Sequence, residues 1–114
     1  MVRVMLTASV CAMLGLVACQ KSPTEKQAEA LSDGGRIRAD SVRQRADIEA
    51  VALDRRANDL SAKAKAAGGY TGERLAVQAH AVEDEAVLVR KQGRAQAESV
   101  EEAANAEAKA VRSH

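Results

Sequence analysis

Residues 68–72 read Gly68-Gly69-Tyr70-Thr71-Gly72, between Ala64-Lys65-Ala66-Ala67 and Glu73-Arg74-Leu75-Ala76. Three glycines in five residues stop a helix, because each costs about 1 kcal/mol relative to Ala in a helix interior. Gly68 suits the position just past a helix, where φ is often positive. Thr71 suits the N-cap of a following helix, and Glu73 then falls in a first turn, where the helix dipole favours a carboxylate. Five residues is the length of a connection between antiparallel helices.

Upstream, residues 36–67 contain no Gly or Pro and are rich in Ala, Arg, Leu and Lys, all strong helix formers. Ala39, Val42, Ala46, Ala50, Leu53, Ala57, Leu60 and Ala64 recur at steps of three and four with one stutter, a heptad-like seam. Ile37, Ile48 and Val51 form a second, narrower stripe. Such a helix is about 47 Å long. Downstream, residues 73–112 carry a matching seam of Leu75, Ala79, Val82, Ala86, Val89, Gly93, Ala97, Val100, Ala104, Ala108 and Val111. That helix is about 60 Å long if unbroken. Gly93 marks either a close approach or a bend. Beyond it the segment is Ala-rich and mostly polar, which predicts a frayed C-terminus, with a helix that lacks a partner as the alternative. The first helix carries eight basic and five acidic residues, the second six and eight, so their charges are complementary.

Further upstream, Ser22-Pro23-Thr24-Glu25 has Ser at an N-cap, Pro at N1 and Glu at N3. It predicts a short helix through Ala28, Ala30 and Leu31. Gly34-Gly35, after Ser32-Asp33, predicts a break or flexible joint, against the alternative of one continuous helix. The fold class is therefore all-α: two long helices, 36–67 and 73–114, joined by a Gly-rich turn at 68–72 and preceded by a tether at 19–35.

The 114-residue chain is 46% hydrophobic with one Tyr, no Phe and no Trp. Residues 19–114 hold 22 alanines and 16 larger apolar residues, so the apolar fraction overstates the core. From residue 19 onward, 16 basic residues balance 16 acidic ones, which gives no electrostatic footprint for nucleic acid. No Gly-rich phosphate loop, nucleophile elbow or zinc-protease motif is present. His80, with Glu83 and Asp84 on one helical face, is at most a half-site, because a catalytic metal needs three protein ligands. His114 is the last residue. No catalytic, cofactor-binding or metal residues are assigned, and no enzyme activity or small-molecule substrate is expected. Tyr70 is equally an interaction tip or a cap on the seam. The run Glu83-Asp84-Glu85 with Arg90, Lys91 and Arg94 reads as a solvated helix face. So do Arg43, Arg45, Arg55 and Arg56, with Arg43–Asp47 and Arg45–Glu49 spaced for local pairing.

Met1-Val2-Arg3 precedes an uncharged apolar run at 4–18, shorter than the roughly 20 residues that span a bilayer. This is the pattern of a secretory signal peptide. The run ends Leu16-Val17-Ala18-Cys19, which resembles the lipobox of bacterial lipoproteins. The resemblance implies cleavage between Ala18 and Cys19, and a diacylglycerol with an N-acyl chain, such as palmitate, on Cys19. Several acyl chains anchor stably where one binds reversibly. Ordinary cleavage after Ala18 is the alternative. Cys11 would leave with the signal peptide, so Cys19 has no disulfide partner. In that family an Asp after the Cys tends to retain the protein in the inner membrane, so the resemblance, with Gln20 at that place, implies the outer membrane of a diderm cell.

In outline the chain is similar to the murein lipoprotein of enteric bacteria, which is acylated, small and helical. It departs in its Gly-rich break and in its final residues, Val111-Arg112-Ser113-His114, where that family ends in the Lys joined to peptidoglycan. The expectation is a lipid-anchored structural or interaction protein of the cell envelope, facing the periplasm, that self-associates or binds another envelope protein. The alternative is an adaptor or inhibitor lipoprotein that folds on binding a periplasmic or membrane partner.

Overall fold

The computed structural model describes residues 20–114. The signal peptide assigned to 1–18 and the lipid-attachment residue Cys19 lie outside them. The described residues form α1 (Pro23–Ala67) and α2 (Gly69–Arg112), packed antiparallel as a hairpin. With 45 and 44 residues, each helix is about 67 Å long.

Helix α1 starts as its residues dictate. The Ser22 side chain accepts a hydrogen bond from the Glu25 N–H at 3.2 Å, and Pro23 opens the first turn. The expected interruption at Ser32–Gly35 does not occur, and α1 runs through it. Gly35 is buried against α2, where an added Cβ would overlap Ala104 Cβ. Contact between the helices offsets the propensity cost of the glycines, since tertiary packing supplies most helix stability. Gly34 faces open space and is simply tolerated.

The turn is also tighter than the sequence suggests. Only Gly68 lies between the helices, with φ 61° and ψ −179°, a conformation open essentially to Gly. Its N–H bonds to the Ala64 carbonyl at 3.1 Å, and its own carbonyl receives the Gly72 N–H at 2.9 Å. Thr71 is not an N-cap and Glu73 is not in the first turn: both lie deeper inside α2, whose N-cap is Gly68. The reason is close packing. An added Cβ at Gly72 would stand 2.6 Å from the Ala64 carbonyl oxygen, so it is the missing side chain that lets α2 start directly after Gly68 and pack against the end of α1. The expected frayed C-terminus is likewise corrected, because α2 stays helical to Arg112 and buries Ala97, Ala104 and Ala108.

Every residue of both predicted seams is buried or half-buried. The fully buried positions are alanines, with Gly35, Gly72 and Gly93 at the tightest approaches. Gly93 is a close-approach site rather than a bend: an added Cβ would overlap Ala46. The contacts Glu25–Arg112, Ser32–Asn105, Gly35–Ala104, Ala46–Gly93 and Ala64–Gly72 fix the register.

The spacing of buried alanines explains why that register is unique. Ala28, Ala39 and Ala50 are eleven residues apart, as are Ala86, Ala97 and Ala108. Toward the turn the steps become seven: Ala50, Ala57, Ala64 on α1 and Gly72, Ala79, Ala86 on α2. Eleven-residue and seven-residue repeats drift in opposite senses about a straight helix. The helices stay in contact only if both change repeat at one level, and Ala50 and Ala86 mark that change on facing stretches.

Candidate functional site

The hairpin has two unlike faces. In a helix with 3.6 residues per turn, residues three, four, seven and eleven apart share a side. Leu31, Val42, Leu53 and Leu60 of α1 lie on one side of the alanine seam. Leu75, Val82, Val89, Val100 and Val111 of α2 lie on the same side, and nearly all are half-buried. Midway along, the small residues Ala46 and Gly93 leave a groove of about 250 Å³ between Val42 and Val89, rimmed by Arg45, Glu49, Gln92 and Gln96.

The opposite face is a polar clasp. Among the described residues, all polar bonds between the helices lie here. Arg112 Nε donates to Glu25 Oε2 at 3.0 Å, and its Nη2 to Oε1 at 2.9 Å. The Ser32 hydroxyl donates to Asn105 Oδ1 at 2.9 Å. Arg43 Nη1 reaches Glu101 at 3.0 Å, and Arg90 Nη2 donates to Asp54 at 2.5 Å. The bonded Arg112 guanidinium holds the Glu25 carboxyl below the usual carboxylate range, while desolvation opposes it. Glu25 in turn raises Arg112. Arg43 is raised chiefly by its bond to Glu101, with Asp40 adding to it.

These contacts correct two readings of the charge runs as solvated faces. Arg90 and Arg43 are partly buried and bridge the helices. Arg43 takes Asp40 rather than Asp47 as its local partner, and Arg45 bonds to the Ser41 hydroxyl rather than to Glu49. Glu25 turns its carboxylate to Arg112. One sequence signal pointed to the clasp: Glu25 and Arg112 are nearly equidistant from Gly68, as are Ser32 and Asn105. The wider offset of Arg43–Glu101 follows from side-chain reach and has no such signature.

The remaining candidates stay apart. His80 Nδ1 is 3.2 Å from Glu83 Oε2 on the exposed surface. Among the described residues no three His, Cys, Asp or Glu side chains stand close enough to hold a metal ion. Tyr70 is 75% exposed beside the turn, so it stands clear of the seam instead of capping it. No described helix is long and apolar enough to cross a membrane. The fold defines an antiparallel helical hairpin with a small-residue seam. Comparison with protein-family models, with curated proteins and with solved structures finds no match for the chain.

Proposed function

We propose that this chain is a small lipid-anchored lipoprotein of the bacterial cell envelope, facing the periplasm, with a structural or protein-interaction role. The observation that carries the reading is Leu16-Val17-Ala18-Cys19 at the end of an uncharged apolar run. Only Gln20, Lys21 and Ser22 separate Cys19 from the first helical residue, Pro23. A diacylglycerol and an N-acyl chain on Cys19 would supply the hold that a single chain does not.

The hairpin gives such an anchor a geometry. Both ends of the helical pair meet at the Glu25–Arg112 clasp, and three residues of sequence separate Pro23 from the proposed anchor at Cys19. The Gly68 turn, with exposed Tyr70, stands about 67 Å away. The chain is then a stiff spacer whose faces and tip are offered to other envelope components. Gln20, rather than Asp, after Cys19 supports the outer membrane as its location in this reading.

The experiment is metabolic labelling with a palmitate analogue, with the mass of the N-terminal fragment measured in parallel. The expected result is a modified N-terminal Cys19, and a Cys19→Ala chain that takes up no label. A Cys19→Ala chain with unchanged label and membrane retention overturns the reading.

A further inference from the structure

We propose that the apolar face of the hairpin docks a second copy of this chain, with α1 of each copy lying over α2 of the other. The two-fold axis then runs parallel to the helices, and both turns point the same way.

The face itself calls for a second layer. A helix pair with an Ala and Gly seam buries little apolar area, and helical bundles gain their core from facing layers. Here the larger side chains, Leu31, Val42, Leu53 and Leu60 with Val89 and Val100, are gathered on one side and left half-covered. The opposite side is already closed by the clasp. The exposed apolar residues on the outer edges form short patches instead of a strip along the pair: Ile48 with Val51 on α1, in a hollow edged by Asp40, Asp47 and Arg55, and Val87 with Leu88 on α2, while Ile37 and Val77 stand eleven residues from Ile48 and Leu88.

The charges at the rim select the occupant and its orientation. On α1 the rim carries Arg38, Arg45, Arg56 and Lys63 with one acid, Glu49. On α2 it carries Gln78, Glu85, Gln92, Gln96 and Glu107 with one base, Arg74. Arg56 is seven residues beyond Glu49, and Glu85 seven before Gln92; both of those residues line the groove. Arg56 and Glu85 lie at one level along the hairpin and are exposed. Among the described residues neither has an ion-pair partner. Rotation about an axis parallel to the helices sets the basic rim of α1 on the acidic and amide rim of α2 of the second copy. Arg56 then meets Glu85 of the other copy twice, and Arg45 and Lys63 meet glutamines.

The orientation also rests on the proposed anchor. Three residues between Cys19 and Pro23 span about 10 Å. Two copies tethered to one membrane must therefore start α1 at the same end. The inverted pairing would hold one anchor about 67 Å from the other.

The test uses the full-length chain extracted in mild detergent, with detergent in large excess and its density matched in sedimentation. The expected mass is that of two chains. Arg56→Glu and Glu85→Lys each weaken the dimer about tenfold, and the doubly reversed chain returns to within about threefold of the original. Ile48→Asp, on the outer edge, leaves the mass unchanged, and circular dichroism shows equal helicity in all variants. A chain that is monomeric at every concentration overturns the proposal. So does a dimer indifferent to both reversals, or one dissociated by Ile48→Asp. Acylation is read separately from the mass of the N-terminal fragment, so failure of the dimer and failure of the anchor are distinguishable.

Discussion

Arg112, in the last turn of α2, grips Glu25, in the first turn of α1, through both Nε and Nη2 at 3.0 and 2.9 Å. The bond spans 87 residues of sequence and closes the end of the hairpin opposite the Gly68 turn. It also satisfies the dipoles of both helices, with an acid at an N-terminus and a base at a C-terminus.

The clasp is expected to open in acid. The folded Glu25 carboxyl is held below its unfolded value, so its contribution is present above the unfolded value and is lost as pH falls through the folded one. The protection of the amides over Ala108–Arg112, taken relative to the intrinsic exchange rate at each pH, should fall as the solution is taken below the usual carboxylate range. Glu25→Gln should show fast exchange already at neutral pH. Equal protection in both chains at all pH values would count against the clasp.

Adjacent glycines should respond in opposite directions to alanine. Gly34→Ala is expected to stabilise the hairpin by about 0.5–1 kcal/mol, because the position is helical and open. Gly35→Ala should destabilise it by about 1–3 kcal/mol, because the new methyl meets Ala104 and the helices must separate. Thermal unfolding of the two variants beside the parent chain reads both signs.

The turn offers a second contrast. Gly68→Ala should cost about 1–3 kcal/mol, since φ 61° with ψ −179° is strained for any residue with a Cβ. Thr71→Ala should change stability by less than about 0.5 kcal/mol, because Thr71 lies inside α2 and caps nothing. Urea midpoints of the two chains test the pair. A larger loss at Thr71 would restore the five-residue turn.

Along the seam, Leu53→Asp and Val82→Asp should each lose at least about 2 kcal/mol, because a carboxylate is brought against apolar side chains. Ala62→Asp, on the exposed side of α1, should be nearly neutral. Helicity followed through thermal unfolding separates them, and equal losses at all three positions would contradict the seam as drawn.

Much of this was legible in the residues themselves. The three-four steps from Ala39 to Ala64 and from Leu75 to Val111 need only helical periodicity, which is local, to assign the buried side of each helix. Ser22-Pro23 announced the start of α1 because a cap is a local device. The proposed processing motif at Leu16–Cys19 is likewise a reading of consecutive residues, and it lies outside the described ones.

What only the tertiary structure decided are the places where a residue's meaning depends on a neighbour far away in the chain. Gly34-Gly35 is a break by propensity alone and a continuous helix once Ala104 stands against Gly35. The Gly-rich turn shrinks to Gly68 because Gly72 must pass the Ala64 carbonyl. The polar C-terminal stretch is ordered because its alanines find those of α1 and Arg112 finds Glu25. Propensity acts over one turn and costs about 1 kcal/mol per glycine, whereas the seam acts along the whole pair. Sequence therefore determined which residues face inward, and the packing of two long helices determined where those helices begin, continue and end.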